Sequence, residues 1–104
     1  MERNKLFFTI KRAVQQIDAQ AQVFLYGSRA RGDATPDSDW DLLILLSPPI
    51  NRTKRTRLRH ALYDVELEVG EILNAVVEDA DYWVSERNRY SPFYQNVKRE
   101  GIAL

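Results

Sequence analysis

The run Leu42–Leu46 is the longest unbroken apolar stretch of the chain, and it constrains the fold more than any other feature. It is far short of the ~20 residues that span a bilayer, and Ser47, Pro48 and Pro49 end it abruptly. With Trp40 and Asp41 ahead of it, the segment Trp40–Leu46 reads as a buried strand that other elements must cover. Those elements are visible on either side. From Glu2 to Asp18, Leu6, Ile10, Ala13, Val14 and Ile17 recur at three- and four-residue steps, the stripe of an amphipathic helix. Val23–Tyr26 is a second β-prone run, ended by Gly27. From Thr53 to Val69, Leu58, Ala61, Leu62 and Val65 follow helical spacing, and Gly70 is placed to cap the C-terminus. Ile72–Val77 is a third β-prone run, and Asp79 or Asp81 is placed to cap a terminal helical stretch interrupted at Ser91-Pro92. The order helix, strand, loop, strand, helix, strand predicts an α/β (α+β) fold: a small mixed sheet of three or slightly more strands, flanked by helices, in a single domain over residues 1–104.

Composition excludes several kinds of chemistry. Without cysteine there is no disulfide framework, no thiolate zinc site and no thiol nucleophile, and one histidine, His60, makes no cluster. Fifteen basic residues balance fifteen acidic ones, which argues against nucleic-acid binding driven by bulk charge. The N-terminal residues mix charges too freely for a signal peptide, so the expected compartment is the cytoplasm. The balance conceals an ordered distribution. Arg52, Lys54, Arg55, Arg57 and Arg59 form a block without an acid, and Asp64, Glu66, Glu68, Glu71, Glu78 and Asp79 follow with no base before Arg87. This arrangement opposes the helix macrodipole. It is either a solvated face or a polar surface for nucleic acid or a charged protein. Trp40, Trp83, Phe7, Phe8 and Phe93 are expected in core or interface packing.

The segment GSRARGDATPDSDWDL, residues 27–42, carries the chemistry. Its Gly-x-x-x-x-Gly lacks the Lys and Ser/Thr of a P-loop, since Asp33 and Ala34 stand there. The alternating Asp37, Asp39 and Asp41 do not continue as a calcium loop, because Leu42 and Pro48 occupy the required Gly and Glu positions. What remains is a pair of carboxylates, Asp39 and Asp41, at i and i+2 where a strand begins, projecting from one face while Trp40 turns to the other. Such a pair suits hard Mg²⁺ shared with phosphate oxygens. Upstream, Gly27 allows close backbone approach, Ser28 offers a hydroxyl and an N–H, and Arg29 and Arg31 supply positive charge.

The strand Phe24–Tyr26, then Gly27-Ser28, then Asp39-Trp40-Asp41-Leu42, within the fuller string Gly-Ser-Arg-Ala-Arg-Gly and Ser-Asp-x-Asp, resembles the minimal nucleotidyltransferases of the DNA polymerase β superfamily. The resemblance implies a polymerase-β-like core and nucleotidyl transfer. It implies that Asp39 and Asp41 act as catalytic metal ligands for Mg²⁺, two ions in the family's pattern. It also implies that Gly27, Ser28, Arg29 and Arg31 hold ATP or another nucleoside triphosphate. A hydroxyl would attack the α-phosphate and pyrophosphate would leave. It further implies a protein partner, since small members often serve as antitoxins to an all-helical HEPN-type ribonuclease toxin. The family's third carboxylate falls at Asn74, with Glu71 or Glu78 as substitutes if the strand register differs and Glu66 or Glu68 reaching in only from the helix. An amide is uncharged and is no base. The alternative is therefore a weak or inactive nucleotide-binding protein that neutralises its partner by occlusion.

Overall fold

A computed structural model describes residues 2–104. The elements follow in the order α1 (Arg3–Ile17), β1 (Gln22–Tyr26), α2 (Ser28–Arg31), β2 (Trp40–Leu46), α3 (Arg52–Val69), β3 (Leu73–Asp79), α4 (Ala80–Trp83), α5 (Glu86–Arg89), α6 (Pro92–Glu100) and β4 (Ile102–Ala103). The strands form one mixed sheet in the order β3-β2-β1-β4. β1 is antiparallel to β2 and β4, and β2 is parallel to β3. The parallel pair needs a crossover, which α3 provides.

The continuous apolar character of β2 has its cause in this arrangement, because the strand is central and covered on both faces. On one face Leu42, Ile44 and Leu46 pack with Leu6, Ile10 and Val14 of α1 and Leu58, Leu62 and Val65 of α3. On the other, Leu43 and Leu45 pack with Trp83 and Val97, with Phe24, Phe93 and Tyr94 around them. Emptying one such position, as in Leu42→Ala, costs about 2–5 kcal/mol.

Local signals set the ends of α3. Asn51 accepts from the Lys54 N–H at 2.8 Å, and Gly70 takes the left-handed conformation, φ +72°, that closes the helix. Asp18, at the end of α1, is nearly buried and ties three elements together. Its carboxylate accepts from the Gln20 N–H (3.0 Å) and from the Ser47 N–H (2.7 Å) and hydroxyl (2.8 Å), and it pairs with Lys54 at 2.9 Å.

The structure departs from expectation in the C-terminal third. The third strand runs Leu73–Asp79, and the terminal helical stretch is three short helices. Asp79, not Asp81, is the cap of α4, accepting from the Asp81 and Tyr82 N–H groups. β4 is an unforeseen fourth strand. Its two side chains are exposed and it is held only by backbone pairing to Phe24 and Leu25, so it has no apolar alternation to read. Phe8 is 65% exposed and is not in the core, while Trp40 and Trp83 are buried. No helix among the described residues is long and apolar enough to cross a membrane.

Candidate active site

The site forms where β1 ends and β2 and β3 begin. Register places Tyr26 opposite Asp41 and Asp41 beside Asn74, one residue from each strand in a row across the sheet. Within β2 the side chains alternate, so Asp41 shares the face of Leu43 and Leu45, away from α1 and α3. Asp39 immediately precedes the strand. Trp40 between the two acids is buried on the opposite face, edge-on to Phe7 at 5.8 Å, and its indole N–H donates to Glu71 at 3.2 Å. Anchoring Trp40 there turns Asp41 toward the other side, where it is half-buried, while Asp39, ahead of the strand, is exposed and lines a small hollow with Gly70 and Glu71.

Gly27 makes room for Asp41. Its φ of +75° with ψ −160° is a conformation that residues with a side chain avoid. A Cβ there would fall on Asp41 Oδ2, with Asp41 Cγ at 3.1 Å. Backbone and carboxylate therefore lie against each other. Ser28 starts the one-turn helix α2, and Gly32, φ +86°, closes it with its N–H on the Ser28 carbonyl at 3.0 Å.

The two arginines have distinct settings. Arg29 closes the connection between α2 and β2. Its Nε and Nη2 donate to the Ser38 carbonyl at 3.3 and 2.9 Å, Nη2 also reaches the Pro36 carbonyl at 3.3 Å, and the guanidinium lies 4.3 Å from the Trp40 ring centroid. Arg31 is exposed at the mouth, where it pairs with Asp33 at 3.2 Å and with both oxygens of Glu100 at 3.3 Å. Glu100 is the last residue of α6, and its Oε1 also accepts the Gly27 N–H at 2.9 Å. The alternate groups of β1 that face β4 explain this contact: Val23 and Leu25 are met by the β4 segment, and at Gly27 a carboxylate continues the ladder. Sequence reasoning missed Glu100, which nothing in its local pattern distinguishes. It also missed the Tyr26 phenol, whose pKa is raised by burial and then by the charge of Asp41.

Asn74 is paired in register with Asp41, and its amide donates to Asp41 Oδ1 at 3.0 Å. The acids considered as substitutes lie elsewhere. Glu66 accepts from the Leu73 N–H and Glu71 from Trp40, while Glu78 pairs with Leu45 in register, toward the other end of the sheet. Among the described residues no group of three or more acidic or histidine side chains is arranged to hold a metal. The donors available to a cation are the Asp41 carboxylate, with the neutral Asn74 amide beside it, and the exposed Asp39 just ahead of the strand. This fits a hard divalent ion that draws its remaining oxygens from phosphate and water. A hollow of about 390 Å³ lined by Phe24, Trp83 and Val97 contains none of these residues.

The family model for a nucleotidyltransferase domain matches residues 9–100. A crystal structure from Sulfolobus solfataricus, of a protein provisionally named a nucleotidyltransferase, is 21% identical, with 95% of this chain and 78% of that chain covered at a TM-score of 0.49. No curated protein matches the chain.

Proposed function

The chain belongs to the nucleotidyltransferase domain family, and from that premise we propose that it transfers a nucleotide, AMP from ATP, to a hydroxyl of a partner macromolecule with the help of Mg²⁺. The observation that carries this reading is the contact between Gly27 and Asp41, since only a residue without Cβ leaves the carboxylate against the turn that would hold phosphate. Asp39 and Asp41 hold the metal, which supplies charge neutralisation of the phosphates. The Ser28 hydroxyl and N–H receive the triphosphate where Gly27 leaves room for it, the Gly27 N–H itself being taken by Glu100. Arg31 supplies positive charge at the mouth, and Arg29 acts by fixing the loop that ends at Asp39. The acceptor oxygen forms a bond to the α-phosphorus, the bond to the bridging oxygen of pyrophosphate breaks, and the acceptor's proton passes to solvent. Catalysis of this kind rests on positioning and charge more than on covalent chemistry.

The acceptor comes from outside, because Asp39 is exposed. The partner we favour is a HEPN-type toxin in the cytoplasm, with this chain as its antitoxin. Asn74 supports a second reading: it secures Asp41 but takes no proton, so the chain neutralises its partner by occupying it, with transfer slow or absent. Labelled ATP and Mg²⁺, incubated with the chain and a HEPN-type partner, separate the two. The enzyme reading expects label on the partner, lost in Asp39→Asn and in Asp41→Asn. Label that persists in both variants refutes the site. Equal neutralisation by wild type and double variant, without label, establishes occlusion.

A further inference from the structure

The charge order of α3 is not satisfied within the molecule. Arg52, Arg55, Arg57 and Arg59 are exposed, and among the described residues none forms an ion pair or a side-chain hydrogen bond. Only Lys54 of this block is neutralised, by Asp18. Asp64 and Glu68 are exposed and unpaired in the same sense. Cations in the first half of a helix and anions in the second both oppose its macrodipole, so the arrangement is unfavourable to the isolated helix.

The solvent side of α3 has a second property. Opposite the buried Leu58, Leu62 and Val65 run Thr56, His60, Tyr63 and Leu67, at steps of four, three and four residues. Tyr63 is 58% and Leu67 68% exposed. This stripe reads the same in both directions. A second α3 laid antiparallel about a two-fold axis beside Ala61 and Leu62 sets Thr56 against Leu67 and His60 against Tyr63. On one flank Arg57 then meets Asp64 and Glu68 of the second copy. On the other, Arg55 and Arg59 meet its Glu66. A parallel pairing would instead stack basic on basic and acid on acid. The chain's formal charge of zero leaves no net repulsion between copies.

We propose that two copies of this chain associate through α3, antiparallel, with the basic half of each helix against the acidic half of the other. The interface lies on the face of the sheet away from Asp41 and Asn74, so both candidate sites stay open to an acceptor. A dimer built this way carries Tyr63 and Leu67 of each copy, with Thr56 and His60, along its seam and is ionic along its flanks.

Sedimentation of the intact chain tests this. Wild type is expected to be dimeric at low ionic strength, with a dissociation constant that rises on the order of tenfold between about 0.05 and about 0.5 M salt. Arg57→Glu alone and Asp64→Lys/Glu68→Lys alone each reverse one side of the flank and weaken self-association by roughly tenfold. An equimolar mixture of the two variants restores a dimer, because each carries the charge the other now lacks. A wild type monomeric at every salt concentration overturns the proposal, including one that instead binds a polyanion such as heparin. So does a dimer indifferent to Arg57→Glu, or a mixture that stays monomeric. The salt titration of wild type decides without any variant.

Discussion

Gly27→Ala separates the conformational demand of the site from its chemistry. The backbone at Gly27 has φ +75° and ψ −160°, a region that costs a residue with a Cβ about 1–3 kcal/mol. The added methyl would also fall on Asp41 Oδ2, with Cγ at 3.1 Å and Cβ at 3.3 Å. The carboxylate must turn aside and give up its hydrogen bond from Asn74, which places the cost toward the upper end of that range. Stability therefore falls by about 1–3 kcal/mol, while displacement of the metal-binding oxygen by an ångström or more lowers transfer by about 10²-fold. Gly32→Ala is the matched control. Gly32 has φ +86°, but nothing lies within 4 Å of a Cβ there, so the variant loses about 1–2 kcal/mol of strain energy and keeps its activity. Urea unfolding gives the stabilities, and initial rates at saturating nucleotide and Mg²⁺ give the activities. If Gly27→Ala loses stability as Gly32→Ala does and retains wild-type rates, the Gly27–Asp41 contact does not position the metal ligand.

Three further outcomes are expected. Burial pushes the Asp18 carboxyl up, but the hydrogen bonds from Lys54, Ser47 and Gln20 outweigh it and hold the group at about 2, below its ordinary 3.8. A depressed folded-state pKa stabilises above the unfolded value and is lost as pH falls through the folded one, so at about 1.4 kcal/mol per pH unit about 2 kcal/mol disappears between roughly pH 4 and pH 2. Urea titrations across that window will show the loss in wild type and its absence in Asp18→Asn. Asn74→Asp supplies the missing carboxylate beside Asp41 and is expected to raise the transfer rate by about 10²- to 10⁴-fold; an unchanged rate would mean that another step limits turnover. Arg29→Ala is expected to loosen residues 33–39 in hydrogen exchange, and Arg29→Lys is not expected to restore them, because a point charge does not replace a fork that stacks on Trp40. Full rescue by lysine would show that Arg29 serves by charge alone.

The elements with a periodic apolar pattern were legible in the sequence, because burial imposes the period. The stripe of α1, the unbroken run of β2 and the Gly70 cap of α3 each correspond to one physical demand made within a few residues. The β4 segment was not, since its two residues are held by backbone pairing to β1 and bury little of their own. The site shows the same division. Gly27-Ser28, Asp39 and Asp41 are adjacent enough in sequence to form a recognisable string, and alternation within β2 assigns Asp41 to the face of Leu43 and Leu45. Register was needed to set Asn74 beside Asp41, because shifting β3 by one residue would turn Asn74 to the opposite face. Glu100 was beyond reach, separated from Gly27 by most of the chain and brought to it by the return of α6 and β4 to the free edge of β1. For Arg29 the sequence indicates a positive charge near the phosphate turn, whereas the structure adds that its guanidinium is engaged by the Ser38 and Pro36 carbonyls.

The central claim is that Gly27-Ser28 and the Asp39/Asp41 pair make one site for a nucleoside triphosphate and its metal. Calorimetric titration of the chain with a non-hydrolysable ATP analogue, with and without Mg²⁺, addresses it whether or not turnover is fast. Binding is expected to require Mg²⁺ and to be lost in Asp41→Asn while the variant remains folded. Binding of equal strength without the metal, or undiminished in Asp39→Asn and Asp41→Asn, would contradict it.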